Sequence, residues 1–305
     1  MRLSYLPLDF TICFDIPAFV DTNPLFVLRS VLGKNLRSMC CVSRQSKCPD
    51  CLFRNTCVYV FLFETILPQE NRVVPGRNRA SHPYSLRRSR RPQGKTLSDY
   101  GFTIVLFGKA AEHLPYIYSA FVQAGRQGLF KGRHPFFVKD VQVAGRSILL
   151  DDSPDGAGLQ VLVPPFEWQY LEEGENRRGE VLVELVSPFR FKMAGRYGGD
   201  FTAADFIGNI FRRAKTICQL YGSFSEDSLP DGMELRIVEK NLRWQEACHY
   251  SGRQKTEMAL GGLQGSFILT GDLMPQVVSL LEFGRLCNIG KNTNFGLGQM
   301  DYWIK

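Results

Sequence analysis

The residues best suited to chemistry lie near the end of this 305-residue chain, in Gly284-Arg-Leu-Cys-Asn-Ile-Gly-Lys-Asn-Thr-Asn-Phe-Gly-Leu-Gly298. Gly290, Gly296 and Gly298 surround Lys291, Asn292, Thr293 and Asn294. Glycine lets backbone approach a ligand closely and take positive φ. Successive exposed N–H groups make an anion-binding concavity, to which Lys291 adds a cation. The chemistry is that of holding a phosphate. The G-x-x-x-x-G-K-[ST] order of a P-loop is absent, and no helix follows. A tight turn before a terminal strand has the same spacing, so both readings stay open.

Cysteine is the second reactive type. Five of the nine cysteines, Cys40, Cys41, Cys48, Cys51 and Cys57, fall within eighteen residues. Cys41-x6-Cys48-x2-Cys51-x5-Cys57 supplies four thiolates, enough for a tetrahedral zinc ion, and Cys40 could replace Cys41. Structural zinc is the expectation, with an iron–sulfur cluster or metal-free thiols as alternatives. Four protein ligands would leave no open position for catalysis. Cys13, Cys218, Cys248 and Cys287 are scattered in apolar or strand-like surroundings and read as ordinary buried thiols.

Charge is the third signal. Residues 71–95 hold Arg72, Arg77, Arg79, Arg87, Arg88, Arg90, Arg91 and Lys95 and no acid, so a chain of net charge +7 has −1 outside that segment. Such a basic arm suits a polyanion, although a solvated loop has the same composition. No run approaches the ~18 apolar residues of a membrane helix, and the first residues lack a signal peptide's apolar stretch. The expectation is a soluble cytoplasmic protein without a membrane partner.

The elements that must position these residues can be read coarsely. Residues 8–17 read as a strand. Pro24 to Met39 reads as a helix, with Asn23 as N-cap. Cys57 to Thr65, rich in β-formers, reads as a strand. After the arm come a strand at Gly101 to Phe107, a helix at Glu112 to Gln127 and a strand at Phe136 to Val143. Residues 144–178 read as an irregular connector. The second half gives a strand at Glu180 to Phe191 and a helix from Thr202 to Tyr221. Strands follow at Met233 to Val238, Leu242 to Tyr250 and Gly265 to Thr270, then a helix at Met274 to Phe283 and a strand at Gly298 to Ile304. This predicts an α+β protein of two tandem ferredoxin-like (RRM-like) βαββαβ domains. The domains are placed at 1–145, with a cysteine-rich insert (40–57) and basic arm (71–95), and at 179–305, joined by a connector at 146–178.

Several segments carry a resemblance. Leu28-Arg-Ser-Val-Leu-Gly-Lys-Asn-Leu-Arg37, Cys48-Pro-Asp-Cys51, Cys57-Val-Tyr, Leu62-Phe-Glu64, Phe107-Gly108 and Leu114-Pro-Tyr-Ile117 supply it in the first half. Ser187-Pro-Phe-Arg-Phe-Lys192, Tyr250-Ser-Gly-Arg-Gln254, Gly261-Gly-Leu-Gln-Gly265 and the Gly290–Gly298 run supply it in the second. In this order they resemble the CRISPR-associated endoribonucleases that process precursor CRISPR RNA, in the repeat-associated RNA-binding (RAMP) superfamily, in a cysteine-containing branch. The resemblance implies a CRISPR repeat RNA or crRNA partner, possible association with effector-complex subunits, and metal-independent cleavage. In that cleavage a ribose 2′-OH attacks the adjacent phosphorus, leaving 2′,3′-cyclic phosphate and 5′-OH ends. A base, an acid and cations for the phosphorane are required.

Many relatives use a histidine near the first helix, and this chain has none before His82. Many also carry one two residues before the glycine–lysine pair, where this chain has Asn288. Asparagine cannot exchange a proton near neutral pH. The catalytic candidates are therefore Lys34, Arg37 and His249, and a role for Tyr5 in orienting the 2′-OH is weaker. The RNA-binding candidates are Arg29, Arg87, Arg88, Arg90, Arg91, Arg253, Lys255, Lys291, Asn292 and Asn294. Tyr84 and Tyr100 are candidates for stacking on unpaired bases. His82 and His134, in basic loop-like surroundings, could touch RNA, whereas His113 reads as structural. The same set also fits a subunit that holds a crRNA hairpin without cutting it.

Overall fold

A computed structural model describes residues 1–44, 47–67, 78–89, 94–150, 158–160, 162–193, 196–230, 232–251 and 256–305. Contacts divide the chain into two units. Residues 4–166 form the amino-terminal unit, and residues 167–305 with 1–3 form the carboxy-terminal unit.

In the amino-terminal unit the elements are β1 (Arg2–Phe19), α1 (Pro24–Cys40), β2 (Tyr84–Arg88), β3 (Thr96–Phe107), α2 (Leu114–Gln127) and β4 (Phe136–Val143). The sheet order is β2-β3-β1-β4, extended by a short strand at Arg146–Ser147. With antiparallel neighbours throughout, this is the ferredoxin-like arrangement. Leu6, Leu8, Phe10, Ile12 and Phe14 alternate inward along β1 and are all buried, as the two-residue strand period requires. Helices α1 and α2 cover that face, with Phe121 of α2 against Phe10 and Phe102 at 5.2 and 5.3 Å between ring centres. Helix α1 begins as predicted: the Leu25 N–H donates to the Asn23 side chain at 3.0 Å, and Pro24 occupies the first turn.

Two expectations fail here. Cys57 to Thr65 is not a strand: Val60–Glu64 forms a π-helical turn, and Thr65 ends it at φ 45°. Tyr59, Val60, Leu62, Phe63 and Glu64 are all buried, and a short apolar run fits helix and strand equally well. The second strand of the domain lies instead inside the predicted basic arm, as β2, whose Tyr84, Ser85 and Leu86 are buried. The chain on either side of residues 68–77 is tied together, with Leu67 N–H donating to Asn78 O and Ala80 N–H to Thr65 O.

The carboxy-terminal unit repeats the order as β5 (Arg177–Phe189), α3 (Ala203–Tyr221), β6 (Leu235–Gln245), β7 (Gly262–Leu273), α4 (Pro275–Cys287) and β8 (Met300–Ile304), with sheet order β6-β7-β5-β8. The two predicted strands at 233–250 are one long β6 with a register shift between Val238 and Asn241, followed by a hairpin of Cys248–Ser251 with Thr256–Ala259. Thr202 and Asp205 form a reciprocal capping box at the start of α3. The chain is thus α+β with two tandem ferredoxin-like units. Among the described residues no helix is long and apolar enough to cross a membrane.

Candidate functional site

In the carboxy-terminal unit three segments converge on the glycine-rich loop. The end of β5 runs beneath it: Lys291 N–H donates to Arg190 O and Gly298 N–H to Pro188 O. The Cys248–Ser251 hairpin strand lies beside it, with the His249 ring edge-on to Phe295 at 5.4 Å. The side chain of Arg190 reaches the other hairpin strand, donating to Ala259 O, and its guanidinium lies 4.6 Å from the Tyr197 ring centre. Lys192 stands over the same ring at 5.1 Å. A partly buried histidine and the cation Lys291 thus stand at the turn, and Arg190 and Lys192 gather on Tyr197 at the end of the strand beneath it.

Glycine in this loop first serves the protein's own packing. Gly298 has φ +68°, and a Cβ there would sit 1.8 Å from Ile289 O. At Gly290, φ +73°, a Cβ would sit 2.5 Å from Arg190 O. The N–H groups of Ile289, Phe295 and Gly296 also donate within the loop. Five N–H groups of residues 289–298 are thus engaged by backbone carbonyls, while Lys291 is exposed and Asn292 half-buried. Asn294 is buried and contributes to the loop's shape, as does Gly296 at φ +81°. Asn288, fully buried at φ 57°, ends α4 and donates its amide to Leu297 O at 3.3 Å.

Arg213 of α3, which the sequence analysis did not single out, fixes this turn. Its guanidinium donates to Asn288 O (2.8 Å), Cys287 O (3.0 Å) and Thr293 Oγ1 (2.8 Å). It satisfies the orphan carbonyls at the C-terminus of α4, where a cation also complements the helix dipole. Burial pulls its pKa down to about 10, so it stays charged at neutral pH. A signal was present: Arg213 interrupts the apolar stripe Phe206, Ile210, Ala214, Ile217.

In the amino-terminal unit Lys34 and Arg37 are exposed on α1. Lys34 Nζ donates to Gln127 Oε1 at 3.0 Å, and Gln127 donates on to the buried Asn35 at 2.8 Å, joining α1 to α2. Arg29 lies over the Phe63 ring at 5.1 Å and Arg37 over Tyr59 at 6.0 Å. Arg87 is partly buried and Arg88 exposed on the edge strand β2, paired with Thr103 and Phe102 of β3. Arg79, counted in the arm, is paired with the buried Glu64 at 2.8 Å. Arg90, Arg91, Arg253 and Lys255 lie outside the described residues.

The expectations for Tyr84, Tyr100 and His82 need correction, whereas His113 is structural as read. Tyr84 and Tyr100 are buried in the core and cannot stack on a base. His82 is no loop residue in solvent: it packs edge-on against Phe63 and Tyr84, and burial together with Arg29 lowers its pKa to about 3. His113 packs against Phe61 and Tyr116, with its pKa lowered by burial. His134 closes the small turn that bridges back to Leu129. Tyr5 stacks on Phe166 at 5.8 Å.

The expected metal ligands lie in the segment after α1. Cys41, Cys48, Cys51 and Cys57 are all partly exposed. Cys41 Sγ approaches Ser43 O at 3.4 Å, while Cys48 and Cys57 pack against the core. Among the described residues no three histidine, cysteine or acidic side chains stand together as a ligand set.

Comparison with known proteins adds an independent line. Residues 3–155 match a family model described as an N-terminal domain, and residues 183–300 match that of the CRISPR-associated endoribonuclease Cas6. A comparison with curated proteins finds no match. Among solved structures, a Thermus thermophilus Cas6 in its product complex superposes with TM-score 0.57 at 16% identity, over 98% of this chain and 99% of that one. A partial Cas6-RT-Cas1–Cas2 complex gives 0.57 at 14% identity, over 99% of this chain and 46% of that one. A second Cas6 product complex gives 0.51 at 14% identity, over 99% of this chain and all of that one. At these identities the structural likeness is one of fold.

Proposed function

Because residues 183–300 match the family model of the CRISPR-associated endoribonuclease Cas6, we propose that the chain binds CRISPR repeat RNA in the cytoplasm and cuts precursor crRNA by internal transesterification. The 2′-oxygen bonds to phosphorus and the P–O5′ bond breaks. A base takes the 2′-OH proton and an acid delivers one to the leaving 5′-oxygen. The products are a 2′,3′-cyclic phosphate and a 5′-OH, and neither water nor a metal is consumed. His249 is assigned to proton transfer. Lys34 is assigned to proton transfer and Arg37 to neutralising the phosphorane. Lys291 and Asn292 hold the backbone on the turn that Gly290, Gly296, Gly298 and Asn294 shape. Arg29, Arg87, Arg88, Arg90, Arg91, Arg253 and Lys255 neutralise phosphates along the bound strand.

The observation that carries this reading is that His249 packs on, and Lys291 projects from, one arginine-braced loop seated on the end of β5. The test is product chemistry. Repeat RNA should be cut once, leaving 5′ ends that a polynucleotide kinase labels without prior phosphatase treatment. Ends that need phosphatase first would reject the mechanism.

A second reading rests on Asn288. Its side chain is buried and engaged with Leu297 O, and it has no proton to exchange near neutral pH. A protein of this build could hold a crRNA hairpin within an effector complex while cutting it slowly or not at all. Tight hairpin binding without cleavage would favour that reading.

A further inference from the structure

The reading above leaves unexplained why the segment after the cysteines ends in a buried aromatic turn against α1. Arg29, Gly33 and Arg37 are spaced four apart, which places them along one ridge of the helix. Phe63 lies under the first two. The Arg29 guanidinium is 5.1 Å from its ring centre, and a Cβ on Gly33 would come within 2.3 Å of a ring atom. Only glycine lets the ring approach the helix this closely. Tyr59 continues the surface: its ring stacks on Phe63 at 5.8 Å with 9° between planes, and Arg37 stands over it at 6.0 Å.

The floor is fixed from below. Tyr59 donates its hydroxyl to Glu64 at 3.1 Å, and Arg79 pairs with the other Glu64 oxygen at 2.8 Å. The carboxylate beneath the ridge is thus already neutralised. The neighbouring His82 is held in its neutral form. Arg37 is exposed and makes no ion pair among the described residues. The two guanidiniums are anchored about 12 Å apart along the helix axis, at ~1.5 Å per residue, far enough to take separate phosphates.

We infer that Tyr59 and Phe63 are positioning residues: they form an aromatic floor that holds Arg29 and Arg37 as a preorganised pair of contacts to two phosphates of bound RNA. The inference rests on the RNA-binding reading. A planar cation stacked on an aromatic face loses less freedom when it meets a phosphate than one swinging in solvent. The segment between the cysteines and residue 64 would then serve affinity, by delivering this floor to α1.

The test is a double-mutant cycle on affinity for a labelled repeat hairpin. Tyr59→Leu keeps the bulk and removes the ring, and should weaken binding about two- to fivefold, the usual scale of one cation–ring contact. Arg37→Ala should cost at least as much, and the double variant no more than Arg37→Ala alone. Tyr59→Phe, which keeps the ring and drops the Glu64 hydrogen bond, should bind within about twofold of the unaltered protein. Equal losses from Tyr59→Leu with and without Arg37 would reduce the floor to ordinary packing and overturn the inference, as would no loss at all. In the unaltered protein, which needs no variant to fold, the Arg37 side-chain protons should show an upfield ring-current shift by NMR, and its absence would also overturn the inference. Failure of the unaltered protein to bind the hairpin would instead overturn the RNA-binding reading itself.

Discussion

Arg213 illustrates how one side chain sets the geometry of a functional turn. Three hydrogen bonds from a charged donor to Cys287, Asn288 and Thr293 hold the loop closed against α3. Arg213→Met should cost about 3 kcal/mol of stability in denaturant unfolding, since it leaves carbonyls at the end of α4 unpaired. It should also slow cleavage more than it weakens hairpin binding. Unchanged stability would mean that the loop is held elsewhere. At this scale the sequence was only partly informative. The Gly290–Gly298 run marked the right turn, because glycine and lysine spacing survives as a local pattern. It did not reveal that several of the N–H groups are used internally, nor that a cation 75 residues before Asn288 is the brace. Tyr84 was misread because a five-residue strand with arginines at its end looks, in composition, like exposed loop, and Tyr100 because it lies just before the Gly101 at which the following strand was taken to start.

Among the elements, helices were the most legible. Asn23 with Pro24, and Thr202 with Asp205, start α1 and α3 where capping chemistry requires. The Val60–Glu64 turn was not legible: five consecutive apolar or buried residues carry no period, and only the helix they pack against decides their shape. That packing has a pH consequence through His82. Its folded pKa of about 3 lies below the ordinary value of 6.5, so the unfolded chain takes up the proton first as pH falls. The contribution is fully present above about pH 6.5 and is lost progressively down to about 3. Thermal melts of a His82→Phe variant should therefore decline less steeply than those of the unaltered protein across this window. Parallel declines would show that His82 is not the titrating group.

For the whole molecule, the fold follows from a repeated pattern: β-α-β-β-α-β twice, with each sheet in the same strand order. Element order and type carried that much, because helix caps and alternating strands are local signals. Charge distribution was legible in amount and less so in place. The segment 71–95 contributes eight cations, but β2 takes part of it into the sheet and Arg79 is spent on Glu64. Replacing Arg87, Arg88, Arg90 and Arg91 together by alanine should weaken hairpin binding and flatten the plot of log affinity against log salt by up to ~0.9 per lost phosphate contact. An unchanged slope would remove these arginines from the interface.

The central claim is that the RNA cuts itself with its own 2′-OH while the protein supplies protons and positive charge. The most direct measurement is cleavage of a labelled repeat hairpin in excess EDTA, beside the same RNA carrying one 2′-deoxy sugar at the cut. The account predicts cleavage of the first and none of the second, with both bound equally well. Cleavage of the deoxy RNA, or loss of all cleavage in EDTA, would contradict it.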